Sequence, residues 1–250
     1  DLHSFPTRRS SDLVLRPSQR KILICLFLLA WVALAIIISQ LIIGYPMFWI
    51  LGKENFKSPI SVAIFSTLSY ILALFITIFI PWKISQKYRT TREELGLLGL
   101  PTWTDIGLAP IGFTVALILA LIFTSIFSFF PWFNPTEIQN IGFNTYLNSG
   151  DRIIALLTLA IIAPITEEII FRGWLYGKLR SRFTMPISII LVSLLFGIVH
   201  FQWNVGIHVF AMSIILCGLR EFTGTIYAGI LMHMLKNAIA FYCLFILGIS

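Results

Sequence analysis

Two adjacent carboxylates, Glu167 and Glu168, sit inside the apolar run 153–176, and His200 lies near the end of the run 187–201. His233 and Asn237 lie within the last apolar run, and Arg172 follows Glu168 by four residues. A charge at mid-membrane costs roughly 2.5–3.5 kcal/mol on insertion scales, so ionisable residues in such places mark function. A carboxylate and an imidazole around one water form a general-base unit. A second imidazole with an amide can donate hydrogen bonds to a developing oxyanion. The same Glu167, His200 and His233 could instead hold zinc, since two His and one Glu with an open position are a known catalytic set. No HExxH occurs, and both chemistries stay open at this point.

Helical spacing sorts these residues. Glu168 and Arg172, four apart, share a face and can pair. Glu167 is turned about 100° away and is left free to face a cavity. The pair could also do no more than lock two helices together. Pro164, just upstream, removes one backbone hydrogen bond and should kink the helix. Phe196 and His200 share a face, as do His233 and Asn237. Glu167 precedes Arg182 by fifteen residues and His200 follows Met185 by fifteen. At 1.5 Å per residue both lie about 22 Å from the intervening turn, so antiparallel packing would bring them level. His208 matches no motif and reads as structural. Lys236 reads as a snorkelling side chain or part of a cavity mouth.

The elements that must hold this set are membrane helices. Of 250 residues, 58% are hydrophobic and only 12% charged, about half the charge of a soluble domain. Seven apolar runs, near 22–44, 60–82, 107–130, 153–176, 186–201, 205–219 and 225–249, lack the alternation of barrel strands. A span takes about 20 residues, so the fifth and sixth are short. The fold class is all-α, a polytopic membrane bundle of about seven transmembrane helices. Its partners are membrane lipids rather than nucleic acid, because basic residues in such a chain report orientation. Eleven of them (Arg16, Arg20, Lys21, Lys83, Lys87, Arg89, Arg92, Lys178, Arg180, Arg182, Arg220) fall on one side of the alternating loops. Lys53, Lys57 and Arg152 fall on the other, so the N-terminus is expected in the cytoplasm. Cys25, Cys217 and Cys243 are scattered and form neither a disulfide framework nor a thiolate site.

Residues 1–13, DLHSFPTRRSSDL, look like a translated sequencing adapter and are set aside from the fold. Residues 14–150 read as an N-terminal scaffold of three helices, and 151–250 as a four-helix catalytic core. Between the second and third spans, the run Thr90-Thr91-Arg92-Glu93-Glu94 sets a Thr three residues before a Glu, a capping-box pattern that predicts a short interfacial helix.

The motifs Glu167-Glu168-x-x-x-Arg172, Phe196-x-x-x-His200 and His233-x-x-x-Asn237, in this order, resemble the CPBP family of CAAX prenyl endopeptidases and bacteriocin-processing or self-immunity proteins. Ala163-Pro164, Phe171-Arg172-Gly173 and Arg220-Glu221-x-Thr223-Gly224-Thr225 extend the resemblance, which covers roughly 156–245. It implies an intramembrane protease of the metallo- or glutamate type acting on a peptide or lipidated protein substrate. Glu167 and His200 would activate the water, and His233 and Asn237 would hold the oxyanion. Glu168, Arg172 and Phe196 would support them. Two rivals remain, a non-catalytic protein for immunity or partner binding, and a small transporter using the acidic pair as a relay. The intact motifs weigh against the first, and the lack of an internal repeat against the second.

Overall fold

A computed structural model describes residues 16–84, 86, 89–137 and 147–248. The expectation for residues 1–13 lies outside the described residues. Within them the chain is all helical, with no strands. Seven helices follow in order: α1 (Pro17–Phe56), α2 (Pro59–Ile84), α3 (Trp103–Phe127), α4 (Ser149–Arg180), α5 (Met185–Ile198), α6 (Trp203–Thr223) and α7 (Tyr227–Leu247). All but α5 are long and apolar enough to cross a membrane. The chain is a multi-pass helical membrane protein.

Two predicted elements differ. The sixth apolar run lengthens to 21 residues in α6, because the polar ends Trp203-Asn204 and Arg220-Glu221 still wind helically. The fifth stays at 14 residues in α5, which stops at a turn carrying His200. After that turn Phe201 adopts φ +54°, a left-handed conformation that a bulky residue rarely takes. The interfacial helix expected after Thr91 is a single turn. Its capping bonds do form, Glu94 N–H to Thr91 Oγ1 at 3.2 Å and Thr91 N–H to Glu94 Oε2 at 3.3 Å. Gly96 at φ +72° then ends it, because a left-handed residue cannot extend a right-handed ladder.

One apolar cluster draws on all seven helices, including Val32, Ala73, Ala116, Leu175, Val192, Leu216 and Met232. Packing is tight where small residues face backbone. A Cβ on Gly197 of α5 would stand 2.8 Å from the Gly206 carbonyl of α6, so these helices meet nearly backbone to backbone, as small residues permit in membranes. On α3, Gly112 similarly receives Met232 and Leu219. Lipid-facing sides stay apolar: Ile111, Leu121, Ile190 and Leu194 are all exposed. Trp103, Trp132 and Trp203 are exposed at helix ends, as interfacial anchors would be.

Candidate active site

Helix α4 carries the acidic pair and is wound unevenly around it, with π-helical stretches at Thr158–Ile162 and Ile169–Leu175. Such widened turns recur at functional sites. The first has a local cause and a local remedy. Ala163 N–H reaches back five residues to the Thr158 carbonyl and so passes over Leu159, while Pro164 has no N–H to offer. The stranded Leu159 carbonyl accepts Asn237 Nδ2–H of α7 at 2.8 Å. The backbone bond that Pro164 was expected to remove is thus replaced by a bond between helices.

Glu168 is fully buried, and its Oε1 accepts two bonds of 2.9 Å, one from Arg172 Nη1 and one from His233 Nδ1. The pair lies on one helix, so it does not itself lock two helices; His233 makes that link, from α7. Arg172, also fully buried, lies 4.3 Å from the Phe196 ring centroid, a cation–π contact. Phe196 meets Phe171 edge-on at 4.9 Å and His200 at 5.1 Å. The phenylalanine of the Phe196-x-x-x-His200 motif is therefore the wall between the buried ion pair and the histidine.

Glu167 points away from this network, as helical spacing predicts. It lines a cavity of about 1000 Å³ together with His200, His233 and Asn237. Its Oε2 lies 3.8 Å from His233 Nε2. In both histidines Nδ1 is already engaged, by the Phe196 carbonyl at 2.7 Å for His200 and by Glu168 for His233. Each Nδ1 then carries the proton, so the neutral ring presents the Nε2 lone pair. His200 can thus take a proton from a water. His233 can donate to an oxyanion through Nε2 only as imidazolium, and two carboxylates flank it. Asn237 keeps one amide hydrogen beyond the one given to Leu159.

Residues 149–239 match the Rce1-like family, described as type II CAAX prenyl endopeptidase Rce1-like. This part of the chain is similar to that family. An Escherichia coli protein described as an uncharacterized 24.3 kDa protein is 35% identical over 89 residues, which are 34% of this chain and 41% of that one. The chain therefore spans less than half the length of the curated relative it matches. No solved structure matches it.

All seven singled-out side chains fall in the matched stretch, yet the cavity does not belong to it alone. Gln40 of α1 and Tyr70 of α2 line it too, and the Tyr70 hydroxyl interacts with the Glu167 carboxylate. Neither stood out in the sequence, where a lone Tyr or Gln in an apolar run carries no motif. Lys236 is also in the lining. His208, read as structural, bonds Thr124 of α3 at 3.0 Å. Among the described residues no three His, Cys, Asp or Glu side chains cluster closely enough to hold a metal ion. The donors Glu167, His200 and His233 line one cavity without forming such a cluster.

Proposed function

We propose that this protein is an intramembrane endopeptidase, hydrolysing a peptide bond of a membrane-associated or lipidated substrate with a water activated by Glu167 and His200. The observation that carries the reading is the convergence of Glu167, His200, His233 and Asn237 on one cavity within a helical membrane bundle. The Rce1-like match of the stretch holding all four supports the reaction class.

Water bound between Glu167 and the His200 Nε2 gives up a proton as its oxygen attacks the scissile carbonyl. The oxyanion that forms is met by the free Asn237 amide hydrogen and by His233 when that ring is protonated. The tetrahedral intermediate collapses as the C–N bond breaks, and the proton taken from water passes to the leaving amine. Held in a pocket of low dielectric, these donors act more strongly than they would in water. Glu168 and Arg172 never touch the substrate in this scheme; they fix the His233 ring and its tautomer.

The test compares membranes from cells making the wild type with those making Glu167→Ala at equal levels, cataloguing protein termini by mass spectrometry. Termini present only with the wild type would establish proteolysis and identify the substrate. Identical catalogues in the native host would sink the protease reading in favour of a binding or immunity role.

A further inference from the structure

The two ends of the bundle are built differently. At one end lie Glu94, Lys178, Arg180, Arg220 and Glu221, held in two sets of contacts that meet at the adjacent Arg220 and Glu221. Lys178 pairs with Glu94 at 3.2 Å, and Arg180 with Glu221 at 2.9 Å. Tyr176 donates to Glu221 at 2.7 Å, and Arg220 Nη2 donates to the Glu94 carbonyl at 3.1 Å. Backbone joins in: Ile226 N–H bonds the Gly96 carbonyl at 3.1 Å and the Tyr227 hydroxyl the Gly99 carbonyl at 2.9 Å. None of these residues lines the cavity that holds Glu167.

The cavity runs the other way. Beyond His233, Glu167 and Tyr70 its walls continue through Leu159, Phe241 and Phe245 to Lys57 and to the exposed segment Pro135–Glu137. Those residues stand where α1 ends, α2 begins and α3 has just ended. The basic residues divide in the same way. Arg16, Arg20, Lys21, Lys83, Arg92, Lys178, Arg180 and Arg220 belong to the netted end, and Lys53, Lys57 and Arg152 to the open one. Excess Lys and Arg mark the cytoplasmic side of a multi-pass chain.

We propose that the Glu167–His200 cavity is sealed toward the cytoplasm and opens on the opposite face of the membrane. A substrate would then present its scissile segment, as extended peptide, from the non-cytoplasmic side, the membrane-associated class of protein rather than a cytosolic one. The word substrate rests on the protease reading; the opening does not.

Single cysteines placed at Thr136 on the rim, Ser66 in the wall and Ser181 at the netted end, in a chain with Cys25, Cys217 and Cys243 replaced by Ala, test this directly. A charged, membrane-impermeant maleimide is applied to intact cells and to inverted vesicles, and each purified chain is weighed. We expect T136C and S66C to gain one reagent mass in intact cells, and S181C only in inverted vesicles. Should S66C prove refractory through misfolding, as judged by size-exclusion elution, A240C reports on the same wall. Modification of the wall cysteine only in inverted vesicles, its protection from both sides in a well-folded chain, or modification of S181C in intact cells would each overturn the proposal. Because labelling needs no turnover, it can succeed while the terminal catalogue fails, and the two readings are judged apart.

Discussion

Glu168 and Glu167 are neighbours with opposite duties, and substitutions should separate them. Removing the guanidinium beside a fully buried carboxylate strands that charge, a loss of about 3–5 kcal/mol. Arg172→Ala should therefore fall sharply in thermal unfolding in detergent. Glu167→Gln, at the cavity wall, should melt close to the wild type yet lose proteolysis by at least about 10²-fold. Equal melting losses in the two variants would contradict this division of roles. Exhaustive chelation separates the two chemistries open to Glu167, His200 and His233: cleavage that survives it fits the water activated by Glu167 and His200 alone, and loss of activity restored by added zinc would replace that scheme with a metal-held water. The Glu168–Arg172 pair was legible because both partners lie on one helix at i,i+4. The His233–Glu168 bond was not, since it joins residues 65 apart and depends on how α7 is rotated.

Between elements, contact is made by what is missing from a side chain or a backbone. Gly197 and Gly206 have backbone opposite them, which cannot swing aside, so Gly197→Ala must part α5 from α6. Overpacking of that kind costs about 1–3 kcal/mol, and it should shift the turn bearing His200, so activity should fall further than stability does. An activity loss no larger than the drop in folded protein would show that the turn tolerates the shift. Asn237→Ala leaves the Leu159 carbonyl without its partner, a loss of about 1–3 kcal/mol, read as lower melting even in a Glu167→Gln background where catalysis is absent. Pro164 was visible in the sequence as a breaker, but the carbonyl it would strand depended on where the ladder widened. Likewise the Thr-to-Glu spacing within 90–94 announced a capping box, while the choice of Thr91 and Glu94 and the stop at Gly96 depended on the backbone.

For the molecule as a whole, hydropathy made the class plain and the length of each span less so. Six runs were long enough to read as spans or became so once polar ends were wound in; α5 was not, because its end is set by a turn and not by composition. The apolar cluster shared by all seven helices, with Gln40 and Tyr70 in the cavity, ties the matched stretch 149–239 to helices it does not cover. Residues 149–250 expressed alone should therefore aggregate on size exclusion in detergent, and co-expression with residues 14–148 should restore a monodisperse peak. A monodisperse fragment would mean that α4 to α7 form a self-sufficient core. The 14 residues of α5 carry one more consequence, for the lipid beside it. They rise about 21 Å, against a hydrocarbon layer about 30 Å thick. The outer face of α5 stays apolar to its last turn, where Ile198 is 62% exposed. Acyl chains along that face meet a hydrophobic wall about 9 Å too short, and must thin or disorder at a fraction of a kcal/mol per Å. Bilayer thickness then bears on the His200 turn, and Glu167-dependent cleavage assayed in liposomes of shorter acyl chains should exceed that in longer ones.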